Sequence, residues 1–247
     1  NSVCITMLYV FGDSFSSPHK QLTQSTSNQS DYPYQSLEMN WCGLVSEKLN
    51  DTTTHINDAI LGCPNEYIYQ GLLHRFDEMQ AGDQVIVQLS SYDRQWFIED
   101  KPHLSNFEST NVSSRTEIPK QTQKAIDMFY KNLYFEERYK IIYQAFVSAM
   151  FSSSVILERK GVKLLIIPGF HNISGIVGTL SDASSNEFDS EETMGLFYTK
   201  TADSRYNHFT ERNHKALADK VVKYFTAGEM IDLTTGFETS IYTKNNI

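Results

Sequence analysis

An apolar run near the start of the chain, Val3–Phe11, stops abruptly at Gly12-Asp13-Ser14, and this junction constrains the fold more than any other stretch. The run is rich in β-branched and aromatic residues, which is typical of a strand buried on both faces. Glycine allows the backbone to turn sharply without a Cβ clash. We therefore expect a central parallel strand that presents Ser14, the candidate nucleophile, at the edge where open α/β sheets bind ligands.

Strand and helix patterns alternate along the rest of the chain. Short apolar runs bounded by turn residues predict further strands at Thr52–Ile60, Gln84–Leu89 and Leu164–Pro168. Apolar residues at helical spacing predict helices over Met39–Leu49, Pro64–Met79, Thr122–Lys160 (one helix or two in succession) and Thr210–Phe225. This alternation predicts an α/β fold, a three-layer αβα sandwich with a mostly parallel sheet.

The length of 247 residues and the 40% hydrophobic content fit a single domain spanning residues 1–247 with a sizeable core. Polar stretches predict insertions near residues 16–38, 95–122 and 170–204. The tail from Thr234 to Ile247 fits an edge strand or a contact with a partner.

Charge and cysteine content exclude several classes of function. A net charge of -9 argues against a nucleic-acid or anionic-membrane surface, because such surfaces collect Lys and Arg. Cys4, Cys42 and Cys63 lack the spacing of a metal site and are interpreted as reduced, buried thiols. The N-terminal run lacks the features of a signal peptide, and no run approaches the ~20 apolar residues of a membrane helix. We therefore expect neither nucleic acid nor membrane as a partner.

Three short blocks carry the chemistry that an esterase needs: a nucleophile, a base, an acid and amide donors for an oxyanion. They are Phe11-Gly12-Asp13-Ser14-Phe15, the segment Asn57–Gly62, and Asp203-Ser204-Arg205-Tyr206-Asn207-His208 before the last predicted helix. In content and order, these blocks resemble those of the SGNH (GDSL-type) hydrolase family. The resemblance implies a flavodoxin-like sandwich, Ser14 as nucleophile, His208 as base, and the amides of Ser14 and Gly62 as oxyanion donors.

Two positions depart from the family pattern. The family places an asparagine after the third strand, where this chain has Gln88-Leu89-Ser90-Ser91, so either Ser90 or the nearby Asn65 completes the oxyanion hole, and Asn65 is favoured for its longer reach. The family acid lies three residues before the histidine, where this chain has Arg205. The nearest acid is Asp203, which reaches the histidine only if the loop bulges.

Several other residues have structural interpretations. His214 falls inside the last predicted helix and is expected to pack, and Asp13 is expected to accept hydrogen bonds from amides of its own turn. Asp93 and Arg94 are interpreted as a structural ion pair. The loop aromatics either pack or form a platform for sugar rings: Tyr32, Tyr34, Trp96 and Phe97.

The function predicted from these residues is hydrolysis of a small acyl ester, such as an O-acetyl group on a carbohydrate, through an acyl-serine and without a cofactor. The alternative is a catalytically weak or inactive SGNH-like domain that is a structural or glycan-binding part of a larger assembly, such as a virion or a homo-oligomer. The blocks around Ser90 and His208 also resemble phage members of the family. Because neither a signal peptide nor a membrane span is predicted, a cytoplasmic or virion-associated location is expected, although the sequence does not fix the compartment. A nucleotide-binding role is disfavoured, because no phosphate-cradling loop leads from the first strand directly into a helix.

Overall fold

In the computed structural model, the described residues include residues 6–11 of the first predicted strand and most of the predicted core. They are 6–17, 40–50, 55–60, 62–97, 118–184, 186–188, 190, 192–193, 209, 211–238 and 240–242. Asp203 and His208 lie outside these ranges, as do Cys4, Tyr32 and Tyr34. Most of the insertions predicted near residues 16–38 and 95–122 also lie outside them.

Four parallel strands form the central sheet of the described chain: β1 (Leu8–Phe11), β2 (Ile56–Asn57), β3 (Gln84–Leu89) and β4 (Lys163–Pro168). Their order is β2-β1-β3-β4. Phe11 pairs with Val87 and Leu89 pairs with Pro168, so β1, β3 and β4 end at the same edge. The predicted α/β class and parallel sheet are therefore confirmed.

The helices are α1 (Trp41–Asn50), α2 (Asn65–Arg75), α3 (Lys120–Asn132), α4 (Glu136–Arg159), α5 (Leu180–Ala183) and α6 (Glu211–Ala227). The predicted helical stretch Thr122–Lys160 is thus two helices, with a corner at which Tyr134 stacks on Tyr139 at 4.9 Å between ring centroids. Two short strands, β5 (Asn186–Phe188) and β6 (Ser240–Tyr242), pair in parallel as a second sheet. The C-terminal tail therefore contains a strand, one of the two alternatives that its composition left open.

Helices cover both faces of the central sheet because successive strand residues point to opposite sides. Leu8, Val10 and Ile86 share one apolar cluster with residues of α1 and α6, including Trp41 and Leu217. Tyr9, Phe11 and Val87 share a second cluster with residues of α2 and α4, including Ile68 and Met150. Burial on both faces explains why these strands are continuous apolar runs rather than alternating ones.

The strand order reverses direction at the carboxyl edge between β1 and β3. After β1 the chain crosses to β2 on one side, and after β2 it crosses back to β3 on the other side. At such a reversal the connections diverge to opposite faces and leave a gap, where ligands bind in open α/β sheets. The residues that follow β1 and β3 therefore flank the most favourable ligand position in the central sheet.

Helix α4 differs from the sequence expectation that no run reaches the length of a membrane span. Among the described residues it is the one helix long and apolar enough, by length and composition alone, to cross a membrane. Three of its buried residues, Tyr143, Met150 and Leu157, lie in the cluster shared with α2 and the sheet. Ile141 and Ile156 are exposed on the rest of its surface.

Candidate active site at the carboxyl edge of the sheet

The segment Gly12–Ser17, here called the serine turn, follows β1 directly. The carbonyl oxygen of Asp13 accepts hydrogen bonds from the amides of Ser16 and Ser17, at 3.1 and 2.9 Å, which closes the turn. Ser14 is partly exposed, whereas its two neighbours are buried. A Cβ atom at position 12 would lie 2.7 Å from Gln88 Oε1, so the turn approaches β3 too closely for any residue but glycine.

Asp13 locks the serine turn to the end of β3. Its carboxylate is fully buried; Oδ1 accepts from the Phe15 amide at 3.1 Å, and Oδ2 accepts from Ser90 Oγ at 3.0 Å and from Arg94 Nη1. Its own amide donates to Gln88 Oε1 at 2.8 Å. The bond to the Phe15 amide confirms the predicted local role. The partner of Arg94, however, is Asp13 and not the adjacent Asp93, so that sequence interpretation is wrong.

Arg94 is a buried cation, with only 8% of its surface exposed. Its Nη1 also lies 2.7 Å from Ser90 Oγ, and its guanidinium carbon lies 4.9 Å from the centroid of the Phe170 ring. An ion pair buried in this way adds little net stability, but removing one partner leaves an uncompensated charge. The serine turn is thus held by a buried charge pair.

The loop after β2 lies along the serine turn. The Gly12 carbonyl accepts from the Ile60 amide at 2.9 Å and from Cys63 Sγ at 3.1 Å. Asn57 Nδ2 donates to the Ser16 carbonyl at 2.8 Å. Gly62, buried in this loop, has φ of 70°, a conformation that favours glycine. The fold therefore brings the second predicted block to the first, as its resemblance implied.

The side chains of Asn65 and Ser90 already form hydrogen bonds within the protein. Asn65 Nδ2 donates to the Ser90 and Ser91 carbonyls at 3.1 and 3.3 Å, and its Oδ1 accepts from the Ser90 amide at 2.8 Å. The Ser90 hydroxyl donates to Asp13. Both side chains would have to break a hydrogen bond before either could donate to an oxyanion. Their predicted oxyanion roles stay predictions, and the amides of Ser14 and Gly62 remain the other predicted donors.

The structure describes Phe209, the residue directly after His208. The Phe209 ring lies 5.6 Å from the ring of Phe15, the residue directly after Ser14. It also meets His214 edge to face at 5.5 Å. His214 Nδ1 accepts from the Trp41 amide at 3.2 Å, at the start of α1, so the predicted packing role of His214 is confirmed.

Neither cysteine described here is arranged for redox chemistry. Cys42 and Cys63 are free and buried, as predicted, and burial raises the pKa of each thiol well above its usual value. Within the ranges that the structure describes, no group of three or more His, Cys, Asp or Glu side chains could hold a metal ion.

The sequence analysis did not predict two of the side-chain contacts in this site. Gln88 is the second-last residue of strand β3. Its Oε1 accepts hydrogen bonds from the Asp13 amide and from Ser16 Oγ at 3.2 Å. Ser91 Oγ lies 3.0 Å from His171 Nε2. The pairing could have been suspected from the positions of Ser91 and His171 in the chain, because each residue follows a strand that the sequence predicted correctly.

Comparison with known proteins does not assign the chain to a family. No protein-family model matches the chain, and no curated protein matches it.

Proposed function

We propose that this chain is a serine esterase of the SGNH type that hydrolyses a small acyl ester through an acyl-Ser14 intermediate. The observation that carries the proposal is the 5.6 Å contact between the rings of Phe15 and Phe209. These residues directly follow Ser14 and His208 in the chain. Two residues that are far apart in sequence, and that each follow a proposed catalytic residue, are therefore in contact.

In the proposed mechanism, Ser14 attacks the ester carbonyl and His208 accepts the hydroxyl proton, which it returns to the leaving alcohol. Asp203 holds the imidazole in the useful tautomer, and water then hydrolyses the acyl-serine. The amides of Ser14 and Gly62 stabilise the oxyanion. Loss of one such donor costs about 100-fold or more in rate.

The hydrogen bonds of Asp13 support the oxyanion part of the proposal. Because Asp13 is bonded through its amide to Gln88 and through its carboxylate to Arg94, the neighbouring Ser14 amide has a fixed position before substrate arrives. Donors that need no reorganisation stabilise a developing negative charge most effectively. The serine turn thus fits a preformed oxyanion site.

A small acyl group, such as acetyl on a carbohydrate, is the substrate class that we propose. Ser14 is only partly exposed between the buried residues Asp13 and Phe15, which favours a short acyl chain. The carbohydrate acceptor has weaker support, because Trp96 meets Tyr67 edge to face at 5.3 Å and Phe97 meets Phe129 at 5.1 Å. Both aromatics therefore make packing contacts.

One observation favours the second candidate, a catalytically weak SGNH-like domain in a structural or glycan-binding role. The two side chains expected to complete the oxyanion hole, Asn65 and Ser90, already use their donor hydrogens within the protein. An oxyanion hole with two amide donors and no third donor would stabilise the oxyanion less. The rate would then be lower by about 100-fold or more.

The deciding experiment is p-nitrophenyl acetate hydrolysis, together with labelling by a fluorophosphonate probe, for the wild type and Ser14→Ala. Ser148→Ala is the matched control, because that exposed hydroxyl bonds only its own helix, to the Gln144 carbonyl at 2.9 Å. We expect Ser14→Ala to lower turnover at least about 1,000-fold and Ser148→Ala to leave it unchanged.

Turnover in Ser14→Ala that stays near the wild-type rate would overturn the assignment of the nucleophile. A folded wild type with no turnover would favour the structural or glycan-binding candidate. Asp203→Asn tests the acid separately: unchanged turnover in that variant would remove Asp203 from the mechanism.

A further inference from the structure

A serine and a histidine that the proposed esterase mechanism does not use lie within hydrogen-bond distance at the same edge of the sheet. Ser91 follows β3 and His171 follows β4. Since Leu89 and Pro168 are paired at the ends of these parallel strands, the two segments leave the sheet side by side. Ser91 Oγ and His171 Nε2 are 3.0 Å apart.

Aromatic side chains hold the His171 imidazole in place. Tyr92 stacks on it, with ring centroids 4.1 Å apart and planes inclined by 23°. Tyr143 meets it edge to face at 5.5 Å, and the Tyr143 hydroxyl donates to the His171 carbonyl at 3.2 Å. The ring plane and the backbone of His171 are therefore both constrained. In a full catalytic triad, a carboxylate orients the imidazole.

The protonation state of His171 suits a base. Burial lowers its pKa below the usual value of about 6.5, so the ring is neutral at pH 7. When the proton is on Nδ1, Nε2 has a lone pair that accepts the Ser91 hydroxyl proton. A hydroxyl bonded to a neutral imidazole is the arrangement that activates a weak nucleophile.

We propose that Ser91 and His171 form a second serine–histidine dyad that accepts an acyl group from a small activated ester. Ser91 Oγ bonds to the carbonyl carbon while its proton passes to His171 Nε2. The carbon–oxygen bond to the leaving alcohol then breaks, and the alcohol takes the proton from Nε2. Water then attacks the acyl carbon while one of its protons passes to His171 Nε2; the bond to Ser91 Oγ breaks, Oγ takes that proton from Nε2, and the carboxylic acid is released. The acyl group is small, because Ser91 keeps only 9% of its surface exposed.

The dyad does not depend on Ser14. Phe15, which follows Ser14, belongs to the apolar cluster on the α1 and α6 face of the sheet. Tyr92, which follows Ser91, packs against the cluster on the α2 and α4 face. The two chain segments thus diverge to opposite faces, and each hydroxyl can be tested while the other is absent.

The test is fluorophosphonate labelling of the wild type, Ser14→Ala, Ser91→Ala and the double variant, followed by mass spectrometry of tryptic peptides. Trypsin separates the two hydroxyls, because Ser14 lies in the peptide of residues 1–20 and Ser91 in that of residues 76–94. Fragmentation distinguishes Ser91 from Ser90 within the second peptide. Ser148→Ala is again the control, and the melting temperature of each variant reports folding.

We expect Ser14→Ala to retain a label on Ser91, and the double variant to lose it. Addition of His171→Gln to Ser14→Ala should slow this labelling at least about tenfold, because the hydroxyl loses its base. The rate at Ser91 should be below that at Ser14, because no carboxylate in the described part of the chain accepts a hydrogen bond from His171.

A folded Ser14→Ala protein without label in the peptide of residues 76–94 would overturn the dyad. A label on Ser91 whose rate is the same with and without His171 would overturn it as well. Failure of the esterase proposal looks different: the wild type would then carry label on Ser91 and none on Ser14.

Discussion

The serine turn and the Ser91–His171 pair lie at the same edge of the sheet but are held by different forces. In the serine turn, the buried Asp13 carboxylate and the Arg94 guanidinium fix the backbone on either side of Ser14. Around His171, the rings of Tyr92 and Tyr143 set the orientation of the imidazole. One region fixes the backbone around the proposed nucleophile through charge, and the other orients the proposed base through aromatic contacts.

This difference teaches how each region should respond to mutation. A buried carboxylate that loses its cation is left in a medium of low dielectric constant, which is strongly unfavourable. An aromatic contact contributes about 0.5–1.5 kcal/mol beyond the area it buries, so its loss is mild. Changes in the serine turn should therefore affect the stability of the whole fold, whereas changes around His171 should affect mainly the local chemistry.

The largest effect is expected for Arg94→Met, which leaves Asp13 buried without its ion-pair partner. We expect a loss of about 3–5 kcal/mol in the free energy of unfolding, measured by denaturant titration. Lys131→Met is the matched control, since its ion pair with Asp127 is exposed and should contribute less than about 1 kcal/mol. Losses of equal size in the two variants would refute the comparison.

Gly12→Ala should have an intermediate effect. The added methyl group would meet the Gln88 side chain at 2.7 Å and Ser16 Oγ at 3.0 Å, so these neighbours must move. Overpacking of this kind costs about 1–3 kcal/mol. Because Gln88 also holds the Asp13 amide, fluorophosphonate labelling of Ser14 should slow while labelling of Ser91 does not. Equal slowing at both serines would contradict the separation of the two regions.

Tyr92→Leu should change the second region with little loss of stability. It removes the ring stacked on His171, and labelling of Ser91 in the Ser14→Ala background should slow by several-fold, with about 1.5 kcal/mol or less lost from the free energy of unfolding. Tyr92→Phe is the control, because it keeps the ring and loses only the exposed hydrogen bond to Glu136. A Phe variant as slow as the Leu variant would assign the effect to the hydroxyl.

The smallest effect is a dependence of stability on pH that comes from His171. Burial lowers its folded-state pKa, although Asp93 and Glu136 oppose the shift and Lys140 adds to it. Between the folded-state pKa and about 6.5, the unfolded chain binds more protons than the folded one. The contribution of this group to stability is therefore complete above about pH 6.5 and is lost as the pH falls through the folded-state pKa.

Nuclear magnetic resonance titration of the His171 ring protons measures this pKa directly, and His171→Gln should remove the corresponding part of the pH dependence of unfolding. A His171 pKa at or above 6.5 would contradict the expectation and would show that the facing carboxylates outweigh burial.

The central elements could be predicted from sequence because their signals are local. β3 was predicted with its observed bounds, and α1 within two residues at its start, since apolar runs and helical spacing reflect burial directly. The predicted strand Thr52–Ile60 forms a ladder only at Ile56–Asn57 within its described part. Beyond Asn57, the Asp58 amide donates to the Val10 carbonyl in β1 and the Ile60 amide to the Gly12 carbonyl in the serine turn.

The candidate site was less predictable, because its contacts join residues that are far apart in sequence. Arg94 and Asp13 are 81 positions apart, and Ser91 and His171 are 80 apart. A charged residue beside another in sequence, as Asp93 is beside Arg94, is a poor guide to the partner. Arg94 instead pairs with a residue that the fold brings to it from the end of β1.

The sequence by itself determined the local properties of this protein: where buried strands form, where the backbone needs glycine to turn, and which hydroxyl stands at the end of β1. Burial and backbone sterics act over a few residues, so they can be read from composition and spacing. Only the tertiary structure decided the partners, pairing Arg94 with Asp13 and Ser91 with His171. The physical reason is that strand order and register set which ends lie side by side at the edge of a sheet.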